Sequence, residues 1–229
     1  MKFKYLLFLT FLLFSKQTFA QKQDRLQAEI NTGQVPIPIE IFIGNKAANF
    51  QLIVSKQLSP KSKFGFFNVT TFSGNYKEKN QGAEFYSQSI ITAEIYKGIS
   101  FIAGLSAMGS SNSPVNVRPT AGLQYLFANE DFVVVIIPRF DLTQTYNFET
   151  FTVFEYKPML SENWGIYSRF QGLYNYNTKQ NFHEVSNIYI RLGLSYKNVQ
   201  FGLGANLDFY GPDYNNVNNY GIFIKTDIF

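Results

Sequence analysis

The chain has no cysteine and a single histidine among its 229 residues. The first absence excludes a disulfide framework, a thiolate metal site, a cysteine nucleophile and a lipid-anchored N-terminal cysteine. The second all but removes multi-histidine zinc chemistry. Charge is scarce too, at 16% of residues. A pI near 9.0 suggests nucleic acid only until the charges are placed. Of the 20 Lys and Arg, Lys2, Lys4 and Lys16 lie in the first twenty residues, which leaves 17 against 16 acids. That balance is no electrostatic footprint for DNA or RNA. Long apolar runs are missing as well. No stretch reaches the roughly 20 apolar residues that a helical membrane span needs. No linker or shift of composition marks a second domain, and one domain is expected at this length.

What is present begins with an address. Lys2 and Lys4 precede the apolar run Tyr5–Phe14, and Thr18-Phe19-Ala20 offers a small-residue cleavage site before Gln21. This order reads as a secretory signal peptide over residues 1–20. Residues 21–34 form a short polar segment without a clear period, and the remaining 35–229 form one domain.

That domain alternates. Phe201, Leu203, Ala205 and Leu207 interleave with Gln200, Gly202, Gly204, Asn206 and Asp208. Ile188, Ile190, Leu192 and Leu194 interleave with Tyr189, Arg191, Gly193 and Ser195. Period two is the signature of strands with one apolar and one polar face. Twelve strands are expected, near 35–44, 48–58, 64–75, 82–96, 99–109, 117–127, 131–142, 147–157, 163–176, 186–197, 199–210 and 219–229, with ten as the alternative. The third fits either phase. Strand charges gather on the phase opposite the apolar one. Connections alternate between tight (60–63, 97–98, 128–130, 158–163, 198) and longer (76–81, 110–116, 143–146, 177–185, 211–218). Aromatics form two bands: Tyr96, Tyr125, Tyr156, Trp164 and Tyr196 near the tight turns, and Phe85, Tyr146, Tyr174, Tyr210 and Tyr220 near the longer loops.

In these features, and in ending on Phe229, the chain resembles the outer-membrane β-barrel proteins of Gram-negative bacteria. One feature departs from their C-terminal signature. Phe229 falls in the phase of Phe223, Lys225 and Asp227, not with the apolar set Tyr220, Ile222, Ile224 and Ile228. The resemblance implies an all-β fold, a single antiparallel up-and-down transmembrane barrel. It also implies export to the outer membrane, with outer-membrane lipid and the outer-membrane assembly machinery as partners.

The second phase is then the lumen. It carries nine acids, among them Glu84, Glu94, Glu149, Glu155 and Asp208, and six bases, among them Arg118, Arg139, Arg169, Arg191 and Lys225. Gln88, Gln124, Gln171, Tyr189 and Asn206 complete the candidate lining. Mixed charge with acids in slight excess suggests a narrow, weakly cation-preferring diffusion channel for small polar solutes. The alternative is a non-conducting barrel, plugged by its own ion pairs, that serves as scaffold or partner subunit of an envelope complex. A lesser alternative is a secreted soluble β-barrel that binds an apolar ligand. No cofactor, metal or nucleic acid is implied. Catalysis is not expected either. His183 and Ser186 are the one base and nucleophile close together, but three residues apart on a regular strand they point to opposite faces.

Overall fold

The computed structural model describes residues 37–59, 61–76, 83–111 and 113–228. The segments 1–20 and 21–34, and Phe229, lie outside the described residues. Twelve strands follow in order: β1 (Ile37–Gly44), β2 (Ala47–Gln57), β3 (Phe64–Asn75), β4 (Glu84–Tyr96), β5 (Ile99–Ser110) and β6 (Ser113–Ala128). Then come β7 (Phe132–Asp141), β8 (Phe148–Tyr156), β9 (Trp164–Asn177), β10 (Phe182–Tyr196), β11 (Val199–Tyr210) and β12 (Asn215–Ile228). Each pairs antiparallel with its neighbour in sequence, and β1 pairs with β12, from Ile37 opposite Ile228 to Gly44 opposite Gly221. The ring is closed, so no edge strand is left.

The chemistry of the two faces is inverted relative to a water-soluble protein. Leu203 is 69% exposed and Leu192 60%, and Phe101, Ile222 and Ile224 also stand outward. On the opposite phase Arg139, Arg191, Glu149 and Lys225 are buried to 2% exposure or less. An apolar exterior around a charged interior is stable only where lipid replaces water outside. The fold is therefore that of an outer-membrane β-barrel.

One rim, here the lower, holds both ends of the barrel and turns such as Lys97–Gly98, where Lys97 and Gly98 both take positive φ (38° and 82°) as a two-residue hairpin requires. Aromatic pairs sit on the wall near both rims. Phe132 stacks on Tyr156 at 4.5 Å and Trp164 meets Tyr196 at 4.8 Å near the lower one. Phe140 with Phe148 and Phe72 with Phe85, each pair at 5.0 Å, lie toward the upper. Such girdles mark the two membrane–water interfaces.

Three expectations change. Strands β6, β10 and β12 each begin four residues earlier than alternation suggests. Asn- and Ser-containing segments continue the ladders of β6 and β12 past the apolar pattern, with Ser110 opposite Ser113 and Tyr210 opposite Asn215. On β10 the ladder runs through a bulge to Phe182 opposite Asn177. The longer connections thus shrink to 111–112, 178–181 and 211–214, and the contrast in loop length between the rims largely disappears. The phase of β3 is now fixed, with Phe67 and Val69 inward. Finally, the interior is not uniformly polar. Phe67, Val69, Ile90, Ile102, Val135, Ile137, Phe151, Val153 and Leu173 form one apolar cluster inside β3 to β9.

Candidate functional site

Twelve strands spaced about 4.8 Å apart and tilted by about 40° would close a ring roughly 24 Å across between backbones. Side chains bridge much of that span. The Phe67 and Phe151 rings, from β3 and β8, lie 6.5 Å apart. Glu40 on β1 pairs with Arg169 on β9 at 2.8 Å and with Arg191 on β10 at 3.0 Å. Lys225 on β12 reaches both oxygens of Glu155 on β8 at 3.0 Å. Tyr86 on β4 donates to Glu149 on β8 at 2.8 Å. Most of these partners stand four or five places apart around the ring, so their contacts cross the interior.

The geometry of each group follows from its strand. Arg139 extends between Asp141 (2.6 Å) and Glu149 (2.5 Å), with Thr120 Oγ1 at 2.8 Å. Arg191 lies flat against the wall beside Gly204, where a Cβ would stand only 2.9 Å from its Cδ and from the Phe42 ring. The guanidinium sits 4.3 Å from the centroid of that ring. Glycine at 204 is thus what lets the arginine reach Glu40. Glu94 accepts from the Gly98 N–H at 3.0 Å, which ties it to a lower-rim turn. Gln88 Oε1 lies 3.2 Å from Tyr86 Oη, whose proton goes to Glu149, and Asn206 donates to Asn49 at 3.2 Å. Gln124 is buried, and among the described residues its Oε1 has no hydrogen-bond partner.

Above these contacts, toward the upper rim, a cavity of about 390 Å3 remains. Tyr86, Phe151 and Gln171 are among its lining, with Glu84, Arg118, Glu184, Tyr189, Asp208 and Tyr210 around it. Tyr189 donates to Asp208 at 3.2 Å and Tyr210 to Glu84 at 3.2 Å. Among the described residues no cation lies within 4 Å of either acid. Arg118 is engaged by Asp141 at 3.3 Å and Glu184 at 3.8 Å. Gln171 Oε1 and Asn187 Oδ1, also in the lining, lack a hydrogen-bond partner among the described residues. The cavity is rich in acceptors and poor in free donors.

Glu184 is a residue that alternation does not find. It sits at a β-bulge in β10, where His183 pairs with Tyr176 and Val185 with Asn175. The extra residue turns both Glu184 and Val185 toward the cavity and resets the phase beyond them. Among the described residues no group of three or more His, Asp or Glu is placed to hold a metal ion.

No protein-family model matches the chain, and no curated protein does. Among solved structures, a KdgM porin aligns over 85% of this chain and 100% of its own at 14% identity, with a TM-score of 0.45. The KdgM porin in complex with disordered oligogalacturonate aligns over the same shares at 14% identity and a TM-score of 0.43. LpxR from Salmonella typhimurium aligns over 84% of this chain and 99% of its own at 8% identity and a TM-score of 0.42.

Proposed function

We propose that this outer-membrane barrel admits small polar solutes from its upper rim and passes them, slowly and with a preference for cations, through a side-chain constriction. The observation that carries this reading is the acceptor-rich cavity of about 390 Å3, in which Glu84 and Asp208 have hydroxyl partners but, among the described residues, no counter-charge. A solute bearing ammonium, guanidinium or several hydroxyl groups supplies the donors that these acids, Gln171 and Asn187 want. Below the cavity the Glu40–Arg169–Arg191 and Glu155–Lys225 pairs form the narrow part of the path.

Those same pairs favour a second reading, a non-conducting barrel that serves as scaffold in an envelope complex. Ion pairs that reach across the interior close it wherever they hold. Liposome swelling separates the two readings. With the purified barrel in the bilayer, arginine should enter faster than glutamate, and Glu84→Gln with Asp208→Asn should abolish the difference. A folded barrel that admits neither amino acid supports the scaffold and rejects the channel.

A further inference from the structure

The bulge in β10 has a second effect, on the lipid-facing wall. Because Glu184 is the extra residue, His183 opposite Tyr176 and Ser186 opposite Tyr174 stand two rungs apart on one face. That face is the outer one, shared with Tyr174, Ile190 and Leu192, all exposed. The expectation that His183 and Ser186 point apart holds for a regular strand and fails on this one. His183 Nε2 and Ser186 Oγ are hydrogen-bonded.

The direction of that bond follows from the other side of the ring. His183 Nδ1 lies 2.8 Å from the backbone carbonyl oxygen of Gly211, which can only accept. In the neutral imidazole the proton is therefore on Nδ1, and the lone pair of Nε2 faces the serine hydroxyl. Ser186 donates, and His183 is oriented as its base. The ring is held there. Tyr214 stacks on it with centroids 4.0 Å apart and planes 18° apart, and Tyr174 packs at 5.7 Å. His183 is 3% exposed. Tyr214 itself takes a left-handed backbone with φ of 53°, a conformation unfavourable for a bulky residue.

Ser186 opens into a groove of about 400 Å3 on the outside of the barrel, walled by Thr150, Thr152, Tyr174, Ile188 and Phe209. Its floor is Gly172, the one place on this part of β9 where no side chain stands out between Phe170 and Tyr174. The groove lies below the upper aromatic level, where a lipid's ester carbonyls meet its acyl chains. Both ends of the barrel lie at the lower rim; with that rim taken as the periplasmic one, as an even-stranded outer-membrane barrel implies, the lipid beside the groove is the outer leaflet.

The geometry points to a second function at this wall: Ser186 and His183 form a nucleophile–base pair that hydrolyses fatty-acyl esters of outer-leaflet lipids, with the acyl chain lying in the groove over Gly172. Ser186 Oγ bonds to the ester carbonyl carbon as its proton passes to His183 Nε2. The carbon–oxygen bond to the lipid alcohol then breaks, and the leaving oxygen takes the proton from Nε2. Water, deprotonated by Nε2, attacks the acyl-serine; a free fatty acid leaves, and the proton returns to Ser186 Oγ. Throughout, Nδ1–H stays on the Gly211 carbonyl.

The test uses the full purified barrel, folded in detergent as judged by heat-modifiable migration. A fluorophosphonate probe should label Ser186, located by peptide mass, and His183→Asn should suppress labelling by about 100-fold or more. Fatty-acid release from phosphatidylethanolamine vesicles and from lipopolysaccharide then tells which lipid is the source of the ester. Ser186→Ala should abolish release, and Ser168→Ala, also on the outer wall, should not change it. Folded wild-type protein that takes no label at Ser186 overturns the proposal, as does release that survives Ser186→Ala. Gly172→Leu, which fills the floor, should slow release while leaving labelling by the small probe intact.

Discussion

Glu40 is one carboxylate shared by two buried guanidiniums, Arg169 at 2.8 Å and Arg191 at 3.0 Å. Removing its charge leaves two cations facing each other in a site closed to water. Glu40→Gln should therefore destabilise the folded barrel by roughly 3–5 kcal/mol, the usual cost of breaking a buried pair from one side. Arg169→Gln should cost less, because Glu40 keeps Arg191. Urea unfolding in detergent, followed by the loss of heat-modifiable migration, measures both. A Glu40→Gln barrel as stable as wild type would mean that the pairs do not hold the walls together. Alternation alone places Glu40, Arg169 and Arg191 on one phase. Their partnership is another matter, because it depends on closure of the ring and on Gly204 leaving room for the arginine. Period two finds faces; it does not find partners.

At the scale of the strand, the outer phase is a constraint imposed by lipid. Leu203 and Leu192 lie on adjacent strands and pair directly across the β10–β11 ladder. An arginine at either position should cost roughly 2–4 kcal/mol near the bilayer midplane. Gln200, on the opposite phase of β11 and buried, should accept serine with little effect on assembly. Folded yield in outer-membrane fractions compares them, and equal behaviour of Leu203→Arg and Gln200→Ser would contradict the register. This much is legible from sequence, since the pattern is local and each strand repeats it. Two features are not. On β7, Val133, Val135 and Ile137 make the inner phase as apolar as the outer one; Arg139 marks that phase as interior, but the apolar cluster these residues join is seen only when β3 to β9 pack on each other. On β10, the bulge shifts the phase by one residue and no residue type announces it. The Glu184 cavity contact and the His183–Ser186 bond both follow from that shift.

The whole molecule is built for a solvent that it must cross an aqueous compartment to reach. Its exterior carries Phe101, Leu192, Leu203 and Ile222 fully outward, while Arg139, Glu149, Arg191 and Lys225 are inside. Such a chain gains nothing from folding in the cytoplasm, where its outer wall has no lipid to meet. Export is therefore part of how it folds, and Met1–Ala20 carries the required order of charge, apolar run and small residues. The membrane-fraction protein should have an intact mass that begins at Gln21, and it should shift its electrophoretic mobility on boiling as a closed barrel does. A mass that retains Met1–Ala20 would reject cleavage. Recovery of the folded protein from a soluble fraction without detergent would reject the membrane assignment itself. The two outcomes are independent: the first concerns only the twenty N-terminal residues, and the second concerns the inverted wall, which twelve strands share and which no single substitution reverses.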